Sequence, residues 1–126
     1  MKKIFPFAFI LAVLCGCGGG NESKTKTEEP KVVDITQNPD YQKGLEIASK
    51  SDCFTCHQIE EKLTGPSYRE VANKYAAMPD TIVSHLAGKI INGGSGVWGE
   101  IQMTPHPTLS QADAEAVVKY ILLLKK

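Results

Sequence analysis

After Cys56 the chain of 126 residues contains no further cysteine, and beyond His57 it has only two histidines, His85 and His106. A zinc site of four cysteines, or of two cysteines and two histidines, needs a second ligand pair at short spacing, and those two histidines lie too far apart in sequence to form one. No alternation of strand and helix patterns surrounds the cysteines, so a thioredoxin-like dithiol lacks its βαβ setting. Charge of one sign is not in excess: fourteen basic and fourteen acidic residues balance formally to zero, which gives nucleic acid no basic patch to meet. Long apolar runs are missing as well. The stretch from Ile4 to Leu14 falls short of the roughly twenty residues a membrane-crossing helix needs. Aromatic residues make up 7%, with Trp98 the single tryptophan. A chain this short, with so few large side chains, gains much from burying a prosthetic group.

What the chain does have is Cys53-Phe54-Thr55-Cys56-His57. The C-x-x-C-H spacing is the attachment signature of a c-type haem. Two thiols one helical turn apart can reach the two vinyl groups on one porphyrin edge and form thioethers. His57, the next residue, is then carried under the iron and can supply an axial imidazole nitrogen. One haem c per chain, covalent through Cys53 and Cys56, is the expectation.

The amino-terminal residues carry a different message. Lys2 and Lys3 precede the apolar run, as in a secretory signal. Leu14-Cys15-Gly16-Cys17 resembles the lipobox of bacterial lipoproteins, with residues 1–16 removed and Cys17 carrying the lipid. On that reading the three cysteines left after cleavage are all used, one for lipid and two for haem. Loss of Lys2 and Lys3 leaves twelve basic against fourteen acidic residues, about −2 before haem is added. Residues 17–37 lack apolar periodicity and read as a flexible tether. Twenty such residues span roughly 25 Å as a coil. Export to the periplasmic side with a membrane-held lipid anchor is expected, a soluble periplasmic protein being the alternative. Val32, Val33 and Ile35 could still pack against the domain edge.

Residues 38–126 read as one all-α domain of about four short helices. Asn38-Pro39-Asp40 is a helix start, with a capping side chain, a proline at the first helical position and a carboxylate at the positive end of the dipole. Tyr41, Gly44, Leu45 and Ala48 then share a face, and Gly44 allows a second helix to cross closely. Thr64-Gly65-Pro66 is a rigid turn presenting carbonyls, of the kind a metal-bound imidazole uses as acceptor for its second N–H. Ser67 to Ala76 reads as a short helix with Tyr68, Val71, Ala72 and Tyr75 inward. Met78-Pro79-Asp80 begins a third, whose stripe is Ile82, Val83, Leu86 and Ile90 and which ends at Asn92-Gly93-Gly94. His85 falls off that stripe. Gly93 to Pro107 reads as a loop without periodicity. Ser110 and Asp113 form a capping-box pattern before a final helix that buries Ala114, Val117, Val118, Ile121 and Leu122. Tyr120 sits beside that face, within reach of Tyr41 or Gly44.

The opposite face of the iron has four candidate ligands: Met78, Met103, His85 and His106. Met78, beside a helix start, reads as an apolar staple. Met103 lies on the long Gly- and Pro-containing loop, which can fold over a haem, and a thioether favours ferrous iron and raises the potential. His106, between Pro105 and Pro107, competes with it.

From Cys53 onward the chain resembles class I cytochromes c, particularly the short bacterial mono-haem group. The matching residues are the Cys53 to His57 motif, Gly65-Pro66-Ser67-Tyr68, Ile90-Ile91-Asn92-Gly93, Gly96-Val97-Trp98-Gly99, Met103 with Pro105, and the final helix. Together they cover roughly residues 39 to 126. The resemblance implies the cytochrome c fold, with first and last helices crossing near Gly44 and Tyr120. It implies Met103 as distal ligand and the Pro66 carbonyl as acceptor from His57. Trp98 would hydrogen-bond a haem propionate, and Lys89 stands where a basic propionate partner is found. Thr104 departs from the family, which commonly has proline after the methionine. The function implied is one-electron transfer by a monomeric carrier, not an enzyme, meeting redox proteins transiently around Phe54, Gly94 to Val97 and Thr104 to His106. The alternatives are a haem enzyme or gas sensor with a labile distal ligand, and a dithiol or zinc protein without haem.

Overall fold

Asn38 opens the first long helix as its sequence predicts: its Oδ1 accepts the Asp40 N–H at 2.8 Å, and Pro39 takes the first helical position. The computed structural model describes residues 34–126. The expected signal, the lipidation site Cys17 and most of the tether lie outside the described residues. Among the described residues there are four α-helices: α1 (Pro39–Lys50), α2 (Tyr68–Tyr75), α3 (Thr81–Asn92) and α4 (Gln111–Leu123). Among the described residues, no helix is long and apolar enough to cross a membrane. Ahead of α1, a 3-10 turn at Ile35–Gln37 is capped by Asp34, and Ile35 packs against the core.

Helix α4 is the hub, packing on α1, α2 and α3. Its buried residues Ala114, Ala116, Val117, Val118, Tyr120 and Ile121 fill the centre. The α1–α4 crossing depends on Gly44. A Cβ there would fall 2.2 Å from the Ala116 carbonyl oxygen and 2.4 Å from the Tyr120 Cβ, so the two backbones meet only because that position is bare. Tyr120, expected beside the buried face, is fully enclosed and packs edge-on against Tyr41. On α3 the fully buried positions are Ala87 and Ile90, while Ile82, Val83 and Leu86 are half-buried.

The capping of α2 is more complete than its sequence suggests. Ser67 accepts the Glu70 N–H at 3.1 Å, and the Glu70 carboxylate takes the Ser67 N–H at 2.8 Å, a reciprocal capping box. At α4 only half of that motif forms: Ser110 Oγ accepts the Asp113 N–H, and the Asp113 carboxylate takes the Ser110 hydroxyl instead of its backbone N–H.

The segment expected as a loop without periodicity contains a small antiparallel sheet, β1 (Gly94–Gly96) with β2 (Gly99–Met103). Gly96 pairs with Gly99 across a two-residue turn at Val97 and Trp98, and Gly94 pairs with Met103. Glycine at positions 94, 96 and 99 removes the side chains that would have carried a period of two, which hides these strands from pattern reading. The fold is therefore four helices with one small hairpin.

Candidate functional site

The cysteine motif folds as a 3-10 turn, Cys53–Thr55, entered through Asp52 in the left-handed conformation (φ 56°). The His57 N–H donates to the Cys53 carbonyl at 3.1 Å, closing one turn. Cys53 is buried and Cys56 exposed, and both thiols are free. Burial pushes the Cys53 thiol pKa up, partly offset by the neighbouring Tyr68 hydroxyl.

His57 is held on three sides. Its Nδ1 lies 2.7 Å from the Pro66 carbonyl oxygen; a carbonyl only accepts, so Nδ1 carries the proton and Nε2 keeps its lone pair. Tyr68 stacks on the imidazole, ring centroids 5.4 Å apart and planes 14° from parallel. Gly65 closes the remaining space, since a Cβ there would fall 2.3 Å from His57 Cε1. The loop between is tied down by its backbone: Gly65 N–H to Cys56 O at 2.9 Å, Tyr68 N–H to Gln58 O at 2.8 Å and Arg69 N–H to Ile59 O at 3.0 Å. The Arg69 guanidinium adds bonds to the Glu60 carboxylate and the Leu124 carbonyl, joining this loop to the end of α4.

The other predicted residues sit on separate elements. Met103 ends β2, half-buried and packed against the core. His106 anchors the segment after it, its N–H shared between the carbonyls of Ile90 (3.1 Å) and Ile91 (3.2 Å). Gly93 lets the two segments meet: its φ is +67°, and a Cβ would fall 2.4 Å from the Met103 carbonyl oxygen. Trp98 stands at the hairpin turn, edge-on to Tyr75 at 6.3 Å, with Lys74 Nζ 5.6 Å from its ring centroid. Lys89 lies in the last turn of α3, exposed, as is His85 further back on the same helix. Met78 is 46% exposed and lines a shallow groove with Pro79, Thr81, Ile82 and His85.

The donor set suits a c-type haem. Two free thiols one turn apart are followed by an imidazole whose Nδ1 is fixed by a carbonyl and whose Nε2 has its lone pair to give, an arrangement that orients a metal ligand and strengthens it. A family model described as cytochrome c matches residues 41–125. This chain belongs to the cytochrome c family. Like other cytochromes c it carries one covalently attached haem c and is an electron carrier, not an enzyme.

Among related cytochromes, cytochrome c-552 of Nitrosomonas europaea is 46% identical over 84 residues, covering 67% of this chain and 81% of that one. Cytochrome c-551 of Azotobacter vinelandii is 44% identical, covering 65% of this chain and 98% of that one. The crystal structure of the Nitrosomonas europaea cytochrome c552 matches with a TM-score of 0.60 at 47% identity, over 64% of this chain and 99% of that one. Two features of this cytochrome site have no counterpart in the sequence expectations. Gly65 reads there only as part of a turn, although its bare Cα is what admits the imidazole. Tyr68 reads only as core, and its stacking on His57 has no signal in the spacing.

Proposed function

We propose that this cytochrome c shuttles single electrons with His57 and Met103 as axial ligands, Cys53 and Cys56 as thioether anchors, and Cys17 as a lipid anchor on the periplasmic side. The observation that carries the reading is the His57 Nδ1 to Pro66 carbonyl bond at 2.7 Å. It leaves the second ring nitrogen with a lone pair to give and orients the ring, which supports His57 as a ligand. The haem iron supplies the one-electron chemistry by alternating between ferric and ferrous. The chain's own residues keep the ligand geometry the same in both states, so little has to reorganise when an electron moves. Met103 supplies a soft, neutral sulfur that favours the ferrous state. With His57 and Met103 both holding the iron, the protein would leave no open position for a substrate. Trp98 and Lys89 take the propionates, and the nearness of Lys74 to Trp98 adds positive charge on that side.

Partners are redox proteins that dock briefly around Phe54, Gly94 to Val97 and Thr104 to His106. Small, quickly released interfaces suit that task, and a monomer on a tether at residues 17–37 can present this edge in turn to donor and acceptor. The full chain, exported from cells equipped for haem attachment, tests the proposal. Its mass is expected to show one haem plus a diacylglyceryl group at Cys17, with the ferrous protein refusing carbon monoxide at neutral pH. A colourless product overturns the haem assignment. Carbon monoxide binding by the native protein overturns the two-ligand assignment. A mature chain beginning at Cys17 whose mass lacks the diacylglyceryl group, or that washes off membranes with salt, overturns the anchor.

A further inference from the structure

Tyr68 is the first residue of α2 and is 3% exposed. Its N–H donates to the Gln58 carbonyl at 2.8 Å, and the capping box of Ser67 and Glu70 fixes the turn it starts. Two other rings meet it edge-on, Phe54 of the cysteine motif at 5.6 Å and Tyr120 of α4 at 6.0 Å. Against this fixed ring lies the His57 imidazole, 5.4 Å away and 14° from parallel. The Pro66 carbonyl, 2.7 Å from Nδ1, constrains the imidazole less fully, because a carbonyl oxygen accepts over a broad range of directions. The histidine side chain itself imposes little, since the torsion that turns its ring is broad.

We infer that Tyr68 is the positioning residue that fixes the plane of the His57 imidazole about the iron axis, and so sets the direction in which unpaired spin spreads over the ferric porphyrin. The inference rests on the proposed ligation of a covalently attached haem by His57. Turning the imidazole out of parallel would drive one of its edges into the Tyr68 ring, which Phe54 and Tyr120 keep from retreating. Gly65 supplies the clearance for that plane, since a Cβ there would fall 2.3 Å from Cε1 and 2.8 Å from both ring nitrogens.

The consequence is electronic. An imidazole donates π density perpendicular to its ring, so its plane selects which of two iron d orbitals is raised and carries the unpaired electron of the ferric state. A residue that orients a ligand in this way acts on the metal without touching it. By holding His57 in one plane, Tyr68 gives every ferric chain the same spin pattern at the edge where a redox protein docks.

The test uses ferric Met103→Ala holo-protein with cyanide bound in place of the methionine sulfur. Cyanide is cylindrical, so the order and spread of the four haem-methyl proton shifts then report the His57 plane alone. With Tyr68 present, the shifts are expected to be widely spread, in the order that puts the imidazole plane parallel to the Tyr68 ring. Adding Tyr68→Leu is expected to reorder the shifts or collapse their spread. Adding Tyr68→Phe, which keeps the ring, is expected to leave both unchanged. Unchanged shifts with Tyr68→Leu overturn the inference. So does a collapse with Tyr68→Phe, which would assign the effect to the hydroxyl beside Cys53. Should Tyr68→Leu not fold, the plane measured with Tyr68 in place decides: parallel to the Tyr68 ring supports the inference, and crossing it overturns it. Failure of the underlying ligation looks different, because the His57 ring protons would then show no paramagnetic shift in any of these proteins.

Discussion

Between Cys53 and Ser67 the chain bonds to itself at almost every turn, whereas between Gly93 and Pro107 it closes a hairpin on itself and leaves most of its side chains exposed, Met103 and His106 being half-buried. The first stretch holds His57 through a carbonyl, a stacked ring and a bare Cα, and is itself tied to α2 and α4. In the second, Val97 is 69% exposed and Ile101 66%. That stretch is anchored to the helices by the His106 N–H on the end of α3, the close approach at Gly93, the Met103 side chain against the core and Trp98 edge-on to Tyr75 of α2. The difference separates the two proposed ligands. The His57 imidazole is fixed by the fold itself, whereas the Met103 thioether ends a two-stranded hairpin whose turn is exposed. If both reach the iron, as proposed, the His57 wall would set the geometry and the Met103 wall would be the easier place to alter the potential.

The sharpest way to test that contrast is to remove the proposed distal ligand. Met103→Ala is expected to lower the midpoint potential by about 0.2 V, a quarter of the roughly 0.8 V that axial ligands span. The ferrous variant should bind carbon monoxide, and its far-ultraviolet circular dichroism should stay that of the parent. An unchanged midpoint and spectrum would remove Met103 from the iron. Loss of helical signal would show instead that the hairpin is as structural as the opposite wall.

Gly65→Ala attacks the other wall. The new methyl would have to occupy space 2.3 Å from His57 Cε1 and 2.8 Å from both ring nitrogens. Either the imidazole or the 57–67 loop must move, and overpacking of this kind costs about 3 kcal/mol. Denaturant unfolding of the holo-protein should report that loss together with a changed ferric spectrum. A variant with the parent's midpoint would mean that the loop yields as easily as the hairpin.

What the sequence reveals in advance follows the same division. The Cys53 to His57 motif, the Pro66 acceptor, the Asn38 and Ser67 helix starts and the Gly44 crossing are all legible, because each is a local rule in which a few adjacent residues imply one geometry. The hairpin is not, because its glycines at 94, 96 and 99 remove the side chains that alternation needs. Complete burial of Tyr120 is also beyond reach, since it depends on how closely α1 approaches and not on the pattern of α4 alone. The stacking of Tyr68 on His57 joins residues eleven apart through a loop whose path is set by backbone bonds that no side-chain pattern reports. Resemblance alone makes Trp98 a propionate donor, and its contacts with Tyr75 and Lys74 add a role on the chain's own surface that the motif does not encode.

A smaller effect distinguishes strain from packing in the hairpin. Gly96 has φ +146° and no atom within 4 Å of a built Cβ, so Gly96→Ala meets backbone strain and nothing else. About 1 kcal/mol is expected, lowering the melting temperature by about 5 °C, with midpoint potential and spectrum unchanged. A shifted potential would tie the turn to the metal more tightly than its exposed setting implies.

The smallest effect concerns the link between the loop after His57 and the chain end. The Arg69 guanidinium bonded to Glu60, with Lys126 Nζ 3.3 Å away on the other side, holds the Glu60 carboxyl down to about 2 from its ordinary 4.5. A carboxylate whose pKa is lowered by folding stabilises the folded state above the unfolded value. That contribution is complete above about pH 4.5 and is lost as pH falls through about 2. Glu60 is 53% exposed, and water and salt screen such a pair, so the contribution is small. Glu60→Gln should lower the urea midpoint slightly at pH 7, and the gap from the parent should narrow between pH 4.5 and 2 and shrink further in high salt. A gap that persists unchanged at about pH 2 would assign the effect to packing of the Glu60 side chain and not to its charge. The clasp between the haem-binding loop and α4 would then rest on the Arg69 bond to the Leu124 carbonyl, which no carboxyl titration can loosen.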